Sequence, residues 1–338
     1  MNRVTAVVVT YNRWELLGEC VDALMHQTHP LSHIVLIDNA STDERYRSGE
    51  WPWQTGLQEA TESTPVKGFE TEMQVTPILR IERLPQNIGG AGGFARGVEL
   101  AREYQDEWVL ILDDDCILNP DYVEKLLEYY KVHSDIGALC GTVYTEGQLM
   151  TDHRGYLTSL AKEKMPGAST TTPTKERLPK TYSPLDTWHE HPVEAYNSEA
   201  LACSVVSFCG LMVSRKVVDQ IGLPRKEYFI RCDDIEYTLR ISKIASIINV
   251  CAAKLNHKVK VTSGTEKFDW KVYYDIRNGL DMTARHGLLL VNVKFKIKYL
   301  VKAIIFAIKN KTLASLRLYI DALRDSKQEK LGLNEKYF

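Results

Sequence analysis

The chain has 338 residues, 44% of them hydrophobic and 25% charged, with a formal net charge of −2. These values are ordinary for a globular protein with one large or two moderate domains. The near-neutral charge argues against a general nucleic-acid-binding protein, so no nucleic-acid partner is expected. The seven cysteines are scattered, and no signal peptide precedes the first apolar run, so a cytoplasmic protein with free thiols is expected.

Strands and helices alternate in the first third of the chain. The apolar run Val4–Val9 predicts a strand, and Tyr11–Gln27 has the apolar spacing of a helix. A second strand is predicted at Ile34–Ile37, before the polar turn Asp38–Asp43, and a third at Ile78–Ile81. This alternation is typical of βαβ units and predicts an α/β protein with a mainly parallel sheet. Ligands of such sheets bind at the carboxyl ends of the strands.

The glycine-rich segment Asn87–Phe94 opens a helix that is predicted at Phe94–Tyr104. Helix N-termini bind anions through free N–H groups, and glycine lets a ligand approach the backbone, so Asn87 and Gly90 are candidate phosphate contacts. A dinucleotide-binding fold would need G-x-G-x-x-G after the first strand, where Thr10–Arg13 stands instead. A dehydrogenase is therefore disfavoured.

Three carboxylates follow the predicted buried strand Trp108–Leu112. If strand alternation continues, Asp113 and Asp115 point to one side and Asp114 to the other. Two carboxylates on one side favour a shared Mg²⁺ or Mn²⁺ ion, which usually also binds substrate phosphates. The alternative is an acidic turn before a helix that begins at Asn119–Pro120.

A second acidic segment begins a predicted helix near Asp233. Its acids are typical of a helix N-terminus, where the dipole stabilises them, but Asp234 could equally be a general base toward a sugar hydroxyl. His257 follows the predicted strand Ile247–Cys251, and it is either a structural histidine or a third metal ligand.

Two polar stretches are predicted to be loops. Gly49–Pro77 begins with Trp51 and Trp53, and Glu163–Pro192 is rich in Thr, Lys, Pro and Ser. Loops of this length are usually lids, binding loops or disordered segments.

Five segments, in this order, resemble family 2 inverting glycosyltransferases of the GT-A fold. They are Val7–Arg13, Ile37–Asp43, Asn87–Gly97, Leu112–Asp115 and Cys232–Glu236. The glycine-rich segment, the triple Asp and Asp-Asp-Ile-Glu look most like bacterial UDP-galactofuranosyltransferases.

The resemblance implies a GT-A domain over residues 1–286, with a mainly parallel sheet flanked by helices and a helical C-terminal extension over 287–338. It implies a UDP-sugar site formed by Thr10, Arg13, Asp38, Asn87, Gly90, Arg96, Asp113 and Asp114. It further implies that Asp113, Asp115 and His257 bind Mn²⁺ or Mg²⁺, and that Asp234 is the catalytic base. Asp233 and Trp188 are expected on the acceptor side.

The C-terminal stretch Val291–Lys311 carries six lysines and no acid among apolar residues. It is too interrupted by charge to span a bilayer. Either it meets anionic lipid as a peripheral membrane contact, or it packs on the catalytic domain or on another subunit of a homo-oligomer.

The expected function is transfer of galactofuranose from UDP-galactofuranose to a glycan or polyprenyl-linked glycan in cell-surface polysaccharide synthesis. One alternative is a related transferase that uses dTDP-rhamnose or another nucleotide sugar. The other is a non-catalytic nucleotide-sugar-binding scaffold. The expected location is the cytoplasm, with a peripheral position on the inner face of the cell membrane as a variant.

Overall fold

The computed structural model describes residues 2–48, 77–158, 182–258 and 269–338, together with positions 51, 53, 58 and 59. The first part alternates strands and helices, as the sequence predicts. Its elements are β1 (Val4–Thr10), α1 (Trp14–Met25), β2 (His33–Asp38), β3 (Gln58–Glu59), β4 (Ile78–Arg83), α2 (Gly89–Ala101) and β5 (Trp108–Asp113).

The middle part is richer in strands. It contains β6 (Cys116–Leu118), α3 (Tyr122–Val132), β7 (Ala138–Thr145), β8 (Gln148–Leu149), β9 (Arg154–Leu157), β10 (Trp188–Glu190), β11 (Ala200–Cys203), β12 (Val205–Val206), β13 (Leu211–Ser214), α4 (Arg215–Ile221), α5 (Asp233–Ser242) and β14 (Ile247–His257). Three helices follow: α6 (Lys271–Arg285), α7 (Leu289–Asn310) and α8 (Ala314–Lys327). The predicted loops 49–77 and 163–192 lie largely outside the described residues, but Gln58–Glu59 in the first one form strand β3 and the end of the second one forms strand β10.

The main sheet has the strand order β11-β14-β7-β13-β5-β1-β2-β4-β3. Strands β5, β1, β2, β4 and β3 are parallel, and β13 joins them antiparallel. Val9 pairs with Asp113 and Thr10 pairs with Asp38, so the carboxyl ends of β5, β1 and β2 lie at one edge. A separate sheet has the order β10-β9-β12.

The core lies on both faces of the sheet. Alternate residues of β1 divide between two clusters, with Val8 in one and Val7 in the other. The first cluster includes Leu17 of α1 and Leu126 of α3, and the second includes Phe94 of α2. Burial on both faces explains why these strands are continuous apolar runs in the sequence.

The glycine-rich segment differs from its prediction. Helix α2 begins at Gly89, five residues before Phe94, and the glycines lie inside it. A Cβ on Gly93 would lie 2.6 Å from Val9 Cγ1, and one on Gly97 would lie 2.3 Å from Val7 Cγ1. The glycines therefore let α2 pack closely on β1, and this contact outweighs their low helix propensity.

The C-terminal helices form a third hydrophobic core with residues that precede α5 in the chain. Tyr273 and Leu280 of α6, Ala303 of α7 and Leu318 of α8 are buried together with Phe229. In the described part of the chain, no helix combines the length and the apolarity that crossing a bilayer requires. The division at residue 286 stays a prediction.

Candidate active site

The triple aspartate lies where β5 ends. Carboxylate oxygens of Asp113 and Asp115 lie within 4.8 Å of each other and of the Cys116 thiol. Arg13, from the loop after β1, places Nη1 3.1 Å from Asp114 Oδ1 and 2.5 Å from Asp115 Oδ2. The expectation that Asp114 diverges from Asp115 was wrong, because the strand ends at Asp113 and a turn follows. Strand alternation does not apply beyond that point.

His257 approaches the same carboxylates from the end of β14. Strand β14 pairs antiparallel with β6, so His257 lies opposite Cys116. Its Nε2 lies 3.3 Å from Asp115 Oδ1. Burial acts to lower the pKa of His257, but contact with Asp115 outweighs it and raises that pKa. For Asp115, burial acts to raise the pKa, and His257 and Arg13 together lower it.

Asp113 and Asp115 form one group of possible ligand atoms with Cys116, and His257 forms another with Cys116 and Cys209. The two carboxylates fit a divalent cation, and His257 adjoins them through its contact with Asp115. Carboxylate oxygens are the ligands that Mg²⁺ and Mn²⁺ prefer, and imidazole can join them. Asp114 Oδ2 is buried and has no hydrogen-bond partner among the described residues. Arg13 places a positive charge beside Asp114 and Asp115, which offsets part of the cost of burying these carboxylates.

A second pair of carboxylates begins helix α5. Burial raises the pKa of Asp233 to about 8 and that of Asp234 to about 6. Asp234 Oδ1 accepts a hydrogen bond from Ile235 N at 2.7 Å. Burial also raises the pKa of Asp113, and the charge of Asp233 contributes to that rise. The acids of α5 and of the β5 turn therefore interact electrostatically within one region.

The loop before α5 is held in an unusual backbone conformation. Phe229, Arg231 and Cys232 have φ values of 64°, 73° and 65°, a region that non-glycine residues rarely adopt. Asn278 of α6 stabilises this loop, because its Nδ2 donates to the carbonyl oxygens of Tyr228, Ile230 and Arg231 at 3.0, 2.9 and 3.0 Å. Such strain persists where surrounding contacts determine the conformation.

Two further elements contact the same loop. Ala91 N, in the first turn of α2, donates to Phe229 O at 3.0 Å, and Gly89 has φ +76° with no room for a Cβ against Phe229. From the C-terminal segment, Gly332 N donates to Glu227 O at 2.5 Å, and the ring of Phe338 lies 5.4 Å from that of Phe229. The base loop, residues 227–232, is thus fixed by α2, α6 and residues near 332–338.

The residues that are predicted to bind the nucleotide-sugar donor divide into two groups. Thr10 Oγ1 lies 3.0 Å from the Tyr46 hydroxyl, which also accepts from Arg13 N at 3.0 Å. These contacts order the loop after β1, beside the carboxylates. Asn87 Oδ1 accepts from Asn39 Nδ2 at 3.0 Å and from Gly89 N at 2.8 Å, so it holds the start of α2 near the end of β2.

Gly90, Asp38 and Arg96 differ in their surroundings. A Cβ on Gly90 would meet no neighbouring atom of the described residues within 4 Å, so these residues leave the first turn of α2 open at that position. Asp38 is fully buried, and its Oδ1 accepts from Ser41 N at 2.8 Å, which is a turn-forming contact. Arg96 is not brought to the carboxylates, because its guanidinium pairs with Glu82 at 2.6 Å. Their role in donor binding stays a prediction.

A family model described as glycosyltransferase like family 2 matches residues 2–273. This chain belongs to that family. Galactofuranosyltransferase GlfT1 of Mycolicibacterium smegmatis is 30% identical over 112 residues, which is 33% of this chain and 30% of the relative. GlfT2 of the same organism is 24% identical over 242 residues, covering 66% of this chain and 35% of the relative. The chain thus spans about a third of the length of these curated relatives.

The structural comparison supports the same fold. Residues 1–349 of Staphylococcus aureus TarS have a TM-score of 0.53 and 15% identity, with 96% of this chain and 80% of that chain covered. The prediction of a GT-A fold with a mostly parallel sheet and C-terminal helices is confirmed.

The small sheet, which consists of β10, β9 and β12, forms another wall of the site beside the carboxylates at the end of β5. His153, just before β9, places its ring 5.1 Å from the ring of His257. Trp188 lies in β10, which pairs with β9, and its ring lies 5.7 Å from that of Phe295 in α7. Trp188 is therefore partly occupied by an internal contact. An acceptor role for Trp188 and Asp233 stays a prediction.

Several residues of this region were not predicted from the sequence. Cys116 and Cys209 place their thiols within 4.8 Å of a ring nitrogen of His257. Asn278 and Tyr46 position loops of the site through long-range hydrogen bonds. Only pairing information between distant segments could have identified them, since none belongs to a local motif.

Proposed function

We propose that this chain is a metal-dependent inverting glycosyltransferase that moves galactofuranose from UDP-galactofuranose to a glycan or lipid-linked glycan in cell-surface polysaccharide synthesis. The observation that carries the proposal is the group of possible metal-ligand atoms that Asp113 and Asp115 form where β5 ends, and the electrostatic influence of Asp233 on Asp113 puts the acids of α5 in the same region. Asp113 and Asp115 suit a cation at the diphosphate, while Asp234 has a pKa of about 6, near the value at which a general base works. A scaffold protein would not need both.

Asp234 would accept the proton of an acceptor hydroxyl as that oxygen attacks the anomeric carbon opposite the departing UDP. One displacement of this kind inverts the anomeric centre, and it needs no second nucleophilic carboxylate. A Mn²⁺ or Mg²⁺ ion bound by Asp113, Asp115 and His257 would balance the charge of the leaving diphosphate. Arg13, which adjoins Asp115, would contact the same diphosphate.

The donor assignment is supported by the similarity to GlfT1 and GlfT2, whose names describe galactofuranosyl transfer. The open first turn of α2 at Gly90 and the ordered loop from Thr10 to Arg13 would bind the nucleotide diphosphate. On the acceptor side, we place Asp233 and the sheet that carries Trp188. The reaction would occur in the cytoplasm, at the inner face of the cell membrane if the acceptor is lipid-linked.

The test is metal-dependent turnover against a panel of nucleotide sugars, with the Asp234→Asn variant as a matched inactive control. We expect UDP release with UDP-galactofuranose, Mn²⁺ and an acceptor extract, and we expect it to disappear with a chelator. Preference for dTDP-rhamnose would replace the donor assignment by that of the related transferase. Nucleotide-sugar binding without turnover of any donor would instead favour the scaffold alternative.

A further inference from the structure

Helix α7 carries an apolar stripe on the face that points away from the protein. The stripe residues are spaced three or four apart, so they share one helix face. Their exposed fractions are 62% for Leu289, 42% for Val293, 58% for Ile297, 38% for Leu300, 41% for Ile304 and 74% for Ile308. A second face, with Val291, Asn292, Ala303 and Ala307, is buried against the protein. The inner face therefore accounts for the packing of α7, and the stripe is left for another contact.

Lysines lie beside this stripe in its first half and at its end. Lys294, Lys298 and Lys309 each follow a stripe residue by one position, which places them about 100° round the helix. All three are exposed, and the segment from Leu289 to Lys311 contains no Asp or Glu. The face as a whole therefore combines apolar surface with charge of one sign.

This combination identifies the kind of partner. Contiguous exposed apolar surface of this kind marks an interaction site. In an antiparallel symmetric contact between two copies, each lysine row would lie beside an identical row, and like charges repel across such an interface. Anionic lipid headgroups are complementary to the lysines, and the adjoining acyl chains are complementary to the stripe.

We propose that α7 lies in the headgroup region of an anionic membrane, with the Leu289–Ile308 stripe toward the acyl chains. On its inner face, Phe295 contacts Trp188 of β10, and Leu290 N donates to Pro184 O at 2.9 Å. The docked helix would thus hold the small sheet beside the site near the bilayer surface. Delivery of a lipid-linked acceptor to that sheet rests on the proposed glycosyl transfer, but the docking itself does not.

Co-sedimentation with vesicles tests the docking without donor or acceptor. Vesicles of phosphatidylcholine alone are compared with vesicles that also contain phosphatidylglycerol. The charge variant is Lys294→Gln/Lys298→Gln/Lys309→Gln, and its matched control replaces three exposed lysines outside α7, as Lys131→Gln/Lys216→Gln/Lys330→Gln. We expect affinity for the anionic vesicles to fall about fivefold for each lysine at the surface, up to on the order of 100-fold. The control should bind like the wild type, and 1 M salt should weaken its binding.

A second variant, Ile297→Gln/Ile304→Gln/Ile308→Gln, tests the stripe. It should lose vesicle binding while its melting temperature stays close to that of the wild type, because these side chains are largely exposed in the protein. Equal pelleting of the charge variant and the wild type on anionic vesicles would overturn the proposal. It would also be overturned if the wild type were a dimer in sedimentation velocity, bound no vesicles, and became monomeric in the stripe variant. That result would assign the face to a second copy.

Discussion

Replacing Asp234 by Asn should raise stability and abolish most activity. Burial raises the pKa of Asp234 from 3.8 to about 6, and two pKa units correspond to about 3 kcal/mol against the ionised form in the folded state. Because Asp234 retains partial exposure, we expect a gain of about 1–3 kcal/mol in the free energy of unfolding at pH 8. The amide oxygen can still accept the bond from Ile235 N.

The pH dependence fixes the sign of this effect. The carboxyl group of Asp234 has a higher pKa in the folded state than in the unfolded state, so between about pH 4 and pH 6 the folded state binds its proton more tightly. The wild type therefore loses stability as the pH rises through that window. The stability difference between variant and wild type should be absent below about pH 4 and complete above about pH 6. Urea unfolding at pH 4 and pH 8 measures it.

Turnover of the same variant should fall by about 10² to 10⁴-fold, the usual contribution of a general base. In the wild type, kcat/KM should fall as pH drops below about 6, because the base becomes protonated. Asp22→Asn, an exposed carboxylate of α1, is the matched control and should change neither quantity. A variant that is less stable at pH 8, or that turns over at a near-normal rate, would refute the reasoning.

The remaining predictions concern the metal, the glycines and the base loop. Asp115→Asn should remove the Mn²⁺ dependence of UDP binding in calorimetry, and unchanged metal-linked affinity would contradict a shared ion site. Gly89→Ala should lower the melting temperature, because its Cβ would lie 1.9 Å from Phe229 O. Gly90→Ala should leave the melting temperature unchanged and raise the KM for the sugar donor. Equal melting temperatures for the two variants would contradict this. Asn278→Ala should destabilise the protein by about 1–3 kcal/mol, because the carbonyl oxygens of Ile230 and Arg231 lose the amide donor that holds them, while that of Tyr228 keeps Arg277 Nη2 and Ile230 N. Its kcat should fall as well, and a stable, fully active variant would argue against the positioning role.

The buried strands could be predicted because the sequence pattern of each one can be recognised by itself. Residues such as those of β1 contact the core on both faces, so every position is apolar and the run is visible without knowledge of its neighbours. Strand β14 was harder to predict, since it continues six residues beyond the predicted end at Cys251. In that half, Lys254 and Asn256 are exposed while Leu255 is buried, so only a period-2 pattern marks it. That continuation carries His257 to Asp115.

The acids themselves could be identified from the sequence, but their surroundings could not. Asp113, Asp115 and Asp234 occur in short motifs, and motif order suggested their roles. Asn278 lies 47 residues from Arg231, whose carbonyl oxygen it holds, and no local pattern marks a single asparagine on a helix. The need for a glycine at position 93 could not be predicted from the sequence either, because Val9 approaches this position only once α2 packs on β1.

The attachment of the base loop to residues near 332–338 has a practical consequence for engineering. An exchange of the C-terminal helices between relatives, intended to alter where the enzyme resides, would also remove the partners of Glu227 and Phe229. Such hybrids should therefore be judged by their catalytic rate as well as by their yield.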